Sequence, residues 1–358
     1  MIEIQILLLL LALAAVAISW CCPASVALDA VALWTAAVLV ALAPASAPWL
    51  LAATVGTPLV LRLGERANRR GLAAAAWSLV LLSAFVAARL TPGVAWIGGA
   101  FFTLRLLHVV GDWWMGRLAI PTIRRHLRYQ LFLPVMFAGP IHRFETFDRQ
   151  AERRRWDAPL FLAGIERALV GAFSAFVAGG WFINRIANVA DARTKGWDPF
   201  LHDWSHAAIE WISLYFVFAG FTAIALGFSL MIGLRLEENF DRPWAARNLI
   251  EFWTRWHMSL TRWCRDYVFR PVTAVTRSAL AGLAMGMLAM GLWHEFSIYY
   301  LFWSFWQALG VVLTRLALRR IAFARVPLAI RMVAGPLSVL AWLSVARPLF
   351  SLISRMFA

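Results

Sequence analysis

The sequence has little that can carry charge. Asp, Glu, Lys and Arg make up 15% of its 358 residues, against 62% hydrophobic residues, and the mean hydropathy is +0.70. That much apolar surface exceeds what a soluble chain of this length can hide in a core, which excludes an ordinary soluble domain. Cysteine is almost missing: Cys21, Cys22 and Cys264 offer neither metal-ligand spacing nor a disulfide framework, and read as small membrane-packed thiols. The first apolar stretch has Glu3 before it and no Lys or Arg, so it reads as a membrane helix and not a cleavable signal. The period-two alternation of barrel strands is absent, which excludes that way of spanning a bilayer. No internal repeat and no Gly/Ser- or Pro-rich linker divides the chain, so a single domain over 1–358 is the simplest account.

What remains is an all-α polytopic membrane protein. A transmembrane helix needs roughly 20 mostly apolar residues. Candidate segments lie at 4–20, 26–43, 48–61, 71–90, 94–111, 129–141, 160–182, 206–232, 279–295, 297–318 and 332–354. Of these, 48–61 and 129–141 are short enough to be re-entrant or strongly tilted. The net charge of +15 does not indicate nucleic acid, because the arginines sit in loops between apolar runs and not along one face of a soluble domain. Clusters at Arg62–Arg70, Arg117–Arg128 and Arg149–Arg155 alternate with poorly charged turns such as 91–93, as the positive-inside rule requires of cytoplasmic loops. That orientation places 183–205 outside and the basic stretch 235–271 on the cytoplasmic side.

Candidate chemistry starts from His294, in Gly291-Leu292-Trp293-His294-Glu295 at the end of a long apolar run. An imidazole at membrane depth is costly and usually functional; held neutral by burial, it can take a proton from a hydroxyl. The bland alternative is a packing histidine paired with Glu295 or a carbonyl. His257 lies in 249–268, where Leu249, Phe252, Trp253, Trp256, Leu260, Trp263 and Tyr267 form a stripe opposite Glu251, Arg255, Arg262 and Arg265. This is the pattern of one interfacial helix, with His257 at the edge of its stripe beside Trp253 and Cys264. Taken locally, a boundary histidine bonded to a carbonyl is the favoured reading of His257. Neither histidine is accompanied by His-x-x-x-His or a carboxylate cluster, so no metal is expected there. Arg105, His108 and Asp112 share one helix face, as a structural ion-pair ladder or as the lining of a transport path. Phe137–Phe144 breaks at Gly139-Pro140 and suggests a re-entrant turn.

Several blocks in register then resemble the membrane-bound O-acyltransferases, in the bacterial branch of alginate O-acetyltransferase and teichoic acid D-alanyl transferase. They are Phe101–Leu104 through Asp112, Phe132-Leu133-Pro134 through Ile141, Tyr215–Phe221, Leu226-Gly227 through Glu238-Asn239-Phe240-Asp241-Arg242-Pro243, Glu251–Leu260 with Arg265-Asp266-Tyr267, and Gly291–His294. They cover most of 100–310, and the Phe-Trp-x-Arg-Trp-His-x-Ser-Leu block followed by Leu-Trp-His is the specific part.

The resemblance implies about ten helices, some re-entrant or interfacial, around a central catalytic funnel. It implies a multi-pass protein of the bacterial inner membrane with no bound cofactor. Such a protein moves an acyl group, here expected to be acetyl, from a cytoplasmic thioester (acetyl-CoA or an acyl carrier protein) to a hydroxyl of an exported polysaccharide or envelope polymer. A separate periplasmic transferase is a partner in one version, membrane lipids surround it, and nucleic acid has no part. His294 becomes the catalytic base and His257 the residue that positions the thioester or steadies the oxyanion. Asn239, Arg255, Trp256, Ser259 and Trp293 become expected substrate-binding residues. The chain departs from the family where Val217 and Ala223 replace carboxylates, where Ala219 and Thr222 replace serines, and where Glu295 replaces the common glycine. Its tail after His294 is short, which in this comparison implies missing last helices. A transporter or flippase, or a family member that has lost catalysis, are the competing readings.

Overall fold

The computed structural model describes residues 2–91, 98–136, 138–320 and 327–356, with side chains omitted at 2–6, 320 and 328–329. The turn expected at 91–93, the start of the 94–111 segment, Phe137 and the side chain of Glu3 therefore lie wholly or partly outside the described residues. Among those residues there is no strand. In chain order the α-helices are α1 (Ile2–Cys21), α2 (Ala27–Leu42), α3 (Ala47–Arg66), α4 (Arg70–Leu90), α5 (Gly99–Trp114), α6 (Ile123–Gln130), α7 (Phe144–Glu152) and α8 (Ala158–Ala172). They continue with α9 (Asn184–Thr194), α10 (Pro199–Met231), α11 (Leu249–Arg255), α12 (Met258–Cys264), α13 (Arg270–Thr276), α14 (Ala279–His294), α15 (Ile298–Arg320) and α16 (Leu328–Met356).

Six helical stretches are long and apolar enough to cross a bilayer: 47–66, 70–90, 158–194, 199–231, 298–319 and 330–356, with shorter apolar helices at 7–21, 27–42 and 279–294. Leucines such as Leu33, Leu63, Leu79 and Leu162 are exposed on them. In water that would be an aggregation surface, and in lipid it is the expected one.

Several boundaries differ from expectation for identifiable reasons. The segment read as 48–61 is a full helix to Arg66, started by Pro48 in its first turn. The segment read as 129–141 is no membrane helix: α6 ends at Gln130, a 3₁₀ turn covers 133–135, and residues 138–143, before α7, are not helical. The segment read as 160–182 extends over 158–194, because a π-helical stretch at 173–183 joins α8 to α9. The expected loop 183–205 is mostly helical, since Asp198 accepts the amides of Phe200 and Leu201 (3.0 and 3.3 Å) and starts α10 at Pro199.

The chain forms two compact units, one from 1–170 with 222–237, the other from 171–221 with 238–358. The first has a buried polar interior held mainly through backbone carbonyls and amides, in which the Gln130 amide group and the Nε2 atoms of His126 and His142 make no hydrogen bond among the described residues. Arg105, fully buried, donates to the carbonyls of Tyr129 and Gln130 (3.3 and 3.2 Å). The His108 Nε2 accepts the Phe144 amide at 3.0 Å, and its Nδ1 lies 3.1 Å from both the Asp112 carboxylate and the Arg143 guanidinium. These groups form a structural ladder. In the same unit α8 and the end of α10 cross with backbones in contact, where a Cβ on Gly227 would lie 2.6 Å from the Gly164 carbonyl and 2.7 Å from the Ala168 amide.

Gly227→Leu should therefore cost about 1–3 kcal/mol. We expect a clearly lower thermal midpoint for the detergent-solubilised protein, whereas Gly196→Ala, where an added methyl meets nothing within 4 Å, should leave it unchanged.

Candidate functional site

In the second unit, residues 239–241 run beside the end of α11 and break the helix that the sequence pattern predicts. Asp241 donates its amide to the Arg255 carbonyl (3.0 Å) and Met258 donates to the Asn239 carbonyl (2.8 Å), bracketing Trp256-His257. Asn239 is fully buried, and its Oδ1 accepts both the hydroxyl and the amide of Ser259 (2.5 and 3.4 Å). The pattern expects one helix over 249–268; instead α11 and α12 meet at a turn with His257 at φ 41°, ψ 53°. A left-handed conformation costs a residue with a Cβ roughly 1–2 kcal/mol, which these hydrogen bonds offset.

That turn also overturns the expected placement of His257 at the edge of a surface stripe. Only 2% of the residue is exposed, and its ring meets Phe218 and Trp293 edge-on at 4.9 and 5.7 Å. Burial pushes the imidazole down to about 3, with His294 nearby adding to the effect. A neutral ring at physiological pH can donate one hydrogen bond and accept another.

His294 closes α14, whose start is capped by Ser278 accepting the Ala281 amide. Its ring stacks on Tyr300 at 5.6 Å and 21° and lies 4.8 Å from Trp293 and 6.1 Å from Trp303. Gly291, one turn earlier, makes this possible: a Cβ there would collide with the Ser304 hydroxyl and lie 2.8 Å from the Tyr300 carbonyl. α15 thus presses against α14 and brings Tyr300 over the imidazole. His294 is half-buried, so the two histidines exchange the environments expected of them. Glu295 leaves the helix in extended conformation and is exposed.

Both histidines line one cavity of about 740 Å³, walled by Trp211, Phe218, Trp253, Trp256, Tyr299, Tyr300 and Trp303. The volume is that of a small-molecule site, and the lining is aromatic with a few polar groups. Glu295 and the exposed ion pair Glu210–Arg347 (2.5 Å) add charge to the lining. Of the other expected site residues, Trp256 faces the cavity and Trp293 lies between the two imidazoles. Asn239 and Ser259 hold the His257 turn from behind. Arg255 is drawn to Glu251 (3.0 Å), whose carboxyl is held below its usual range chiefly by the Arg247 hydrogen bond. The positions where the family has carboxylates are apolar, and Val217 packs where Gly179 lacks a side chain.

Glu210 and Arg347 are missing from the sequence reading, although each is a charge within a long apolar helix, which is the signal that marks such residues. Tyr299 and Tyr300 stand out in the sequence only as members of the aromatic run that follows His294, with no site role attached to them.

The family model described as MBOAT, membrane-bound O-acyltransferase family, matches residues 116–352. The chain is similar to the protein named Probable alginate O-acetylase AlgI of Pseudomonas aeruginosa, 30% identical over 226 residues, 61% of this chain and 42% of that protein. It is also similar to the teichoic acid D-alanyltransferase of Streptococcus thermophilus, 30% identical over 239 residues (63% of this chain, 58% of that one). The corresponding figures for the Bacillus subtilis D-alanyltransferase are 31% over 204 residues, 52% and 50%. The chain spans about half the length of these relatives.

Because folding lowers the His257 pKa from 6.5 to about 3, the unfolded chain takes up a proton in that window that the folded chain refuses. Stability contributed by the neutral ring is present above 6.5 and is lost as pH falls through the window. His257→Asn, which tolerates the left-handed turn, should flatten the pH dependence of thermal stability by up to roughly 1.4 kcal/mol per pH unit there. Melts of the two proteins between pH 7 and pH 4 measure the difference; parallel curves would mean that His257 is protonated when folded.

Proposed function

Because this chain belongs to the membrane-bound O-acyltransferase family, we propose that it transfers an acyl group, acetyl in the reading we favour, to a hydroxyl of an exported polysaccharide or envelope polymer. The carrying observation is that His257 and His294 line a single aromatic cavity. The donor in this reading is a thioester, acetyl-CoA or an acyl carrier protein, reached from the cytoplasmic side of a bacterial inner membrane.

His294, half-buried at the cavity wall, accepts the proton of the acceptor hydroxyl. The oxygen attacks the thioester carbonyl, and the new C–O bond forms as the C–S bond breaks. The thiolate leaves with the proton that His294 took, so no net proton is consumed. His257, neutral and fixed by Asn239 and Ser259, donates a hydrogen bond to the oxyanion that forms on the carbonyl oxygen. Trp256 and Trp293 confine the acyl end, and Arg255 meets anionic groups of the donor carrier. A periplasmic transferase receives the group where the final acceptor lies beyond the membrane.

The relatives' names span acetyl and D-alanyl transfer, so the reaction class carries over more firmly than the group transferred. The aromatic enclosure suits a short acyl group better than a long chain, since bulky rings occupy the walls.

His294→Ala should lower acyl incorporation into membrane-associated glycan by about 10²- to 10⁴-fold, read by mass spectrometry of the released O-acyl groups. Unchanged incorporation by a variant with a wild-type melting curve would remove His294 from the chemistry.

A further inference from the structure

Metal-ligand side chains converge at a second place, away from the cavity histidines and unanticipated from sequence. Asp191 on α9 and His202 and His206 on the first turns of α10 bring one ligand atom each to within 4.8 Å of one another. The histidines are four residues apart and so share a helix face, with rings 4.7 Å apart. Asp191 Oδ1 lies 3.7 Å from His202 Nε2 and 3.5 Å from His206 Nε2. Ligands about 2.0–2.2 Å from a tetrahedral Zn²⁺ sit roughly 3.3–3.5 Å apart, so small side-chain shifts complete the geometry.

Proton placement sharpens this. The Thr194 hydroxyl donates to the Ala190 carbonyl at 2.8 Å, so towards His202 Nδ1, also at 2.8 Å, it acts as acceptor. Nδ1 therefore carries the hydrogen, and in the neutral ring Nε2 turns a lone pair towards the Asp191 carboxylate, acceptor facing acceptor. The Nε2 of His206 is shielded from solvent and makes no hydrogen bond. Convergent acceptors of this kind call for a cation, and the Nδ1–H to Thr194 bond is the outer contact that orients a metal-bound imidazole.

We propose that Asp191, His202 and His206 form a site for a Zn²⁺-class divalent transition metal, with the remaining coordination position open to water. The ion ties α9 to the start of α10, next to Ala207 and one turn before Glu210, both of which line the cavity. By the distribution of basic loops the site faces outward. It stands independently of the acyl-transfer reading.

The test uses the full chain, purified in detergent with a tag that contains no histidine, stripped with chelator and titrated with Co²⁺. The expected result is one Co²⁺ per chain with the visible absorption of a tetrahedral site, displaced by Zn²⁺. His202→Ala/His206→Ala and Asp191→Asn should abolish it, and Thr194→Val should weaken it about 10- to 100-fold. Metal-free melting curves and elution profiles matching wild type show that the variants fold; if the ligand variants do not, the Thr194→Val affinity decides. Absence of Co²⁺ binding by wild type, or binding that persists unchanged in these variants, overturns the proposal and leaves an ion pair between Asp191 and protonated imidazoles.

Discussion

Asn239 reaches no solvent, yet its two oxygens fix the amide of Met258 and both the amide and hydroxyl of Ser259. Those bonds hold His257 in a conformation that a helical chain otherwise avoids. If α11 ran straight into α12, residue 257 would continue the surface stripe of an interfacial helix. The break instead turns the imidazole inward, between Phe218 and Trp293, to the wall of the cavity that His294 also lines. A single buried amide thus converts a boundary position into an interior one. The cost of burying its two oxygens is met by groups that would themselves go unsatisfied without them, whereas its Nδ2 meets no hydrogen-bond partner among the described residues.

The seven histidines of the chain separate by what surrounds them. His108, His126 and His142 are buried against backbone: the Phe144 amide, the Thr54 carbonyl at 2.7 Å and the Pro140 carbonyl at 3.2 Å. His126 and His142 each bond through Nδ1 and leave Nε2 without a hydrogen-bond partner among the described residues, and none of the three lines the aromatic cavity. His202 and His206 both face the Asp191 carboxylate, at 3.7 and 3.5 Å. His257 and His294 alone border the aromatic cavity. Burial by itself does not distinguish these classes, since His126 is more buried than His294. What distinguishes them is whether the ring meets protein or open space.

Much of this was legible in the sequence, because membrane helices announce themselves through length and composition. The runs around α1, α2, α4 and α14 fall where apolar stretches place them, and His294 stands out as an imidazole at the end of one. The rest depends on partners distant in the chain. The α11–α12 break needs Asn239, 18 residues before His257, and the periodic stripe through 249–268 gives no hint of it. The convergence of Asp191 with His202 and His206 needs 183–205 to fold as helices, which its polar composition hides until Asp198-Pro199 is recognised as a helix start. Glu210 and Arg347 are separated by 137 residues and meet only when α10 and α16 pack.

The exchange of environments between the two cavity histidines has a chemical consequence. A base that takes and returns a proton each cycle works best with a pKa near the operating pH, which requires partial access to water or to polar groups. A residue that only stabilises developing negative charge needs the opposite: it must stay neutral, fixed and dry, so that its N–H is already aimed and nothing competes for it. His294, half-buried on the Tyr300 ring beside exposed Glu295, has the first environment. His257, buried in aromatics and locked in a strained turn, has the second. The division of labour proposed for the pair therefore follows from their surroundings as well as from family register.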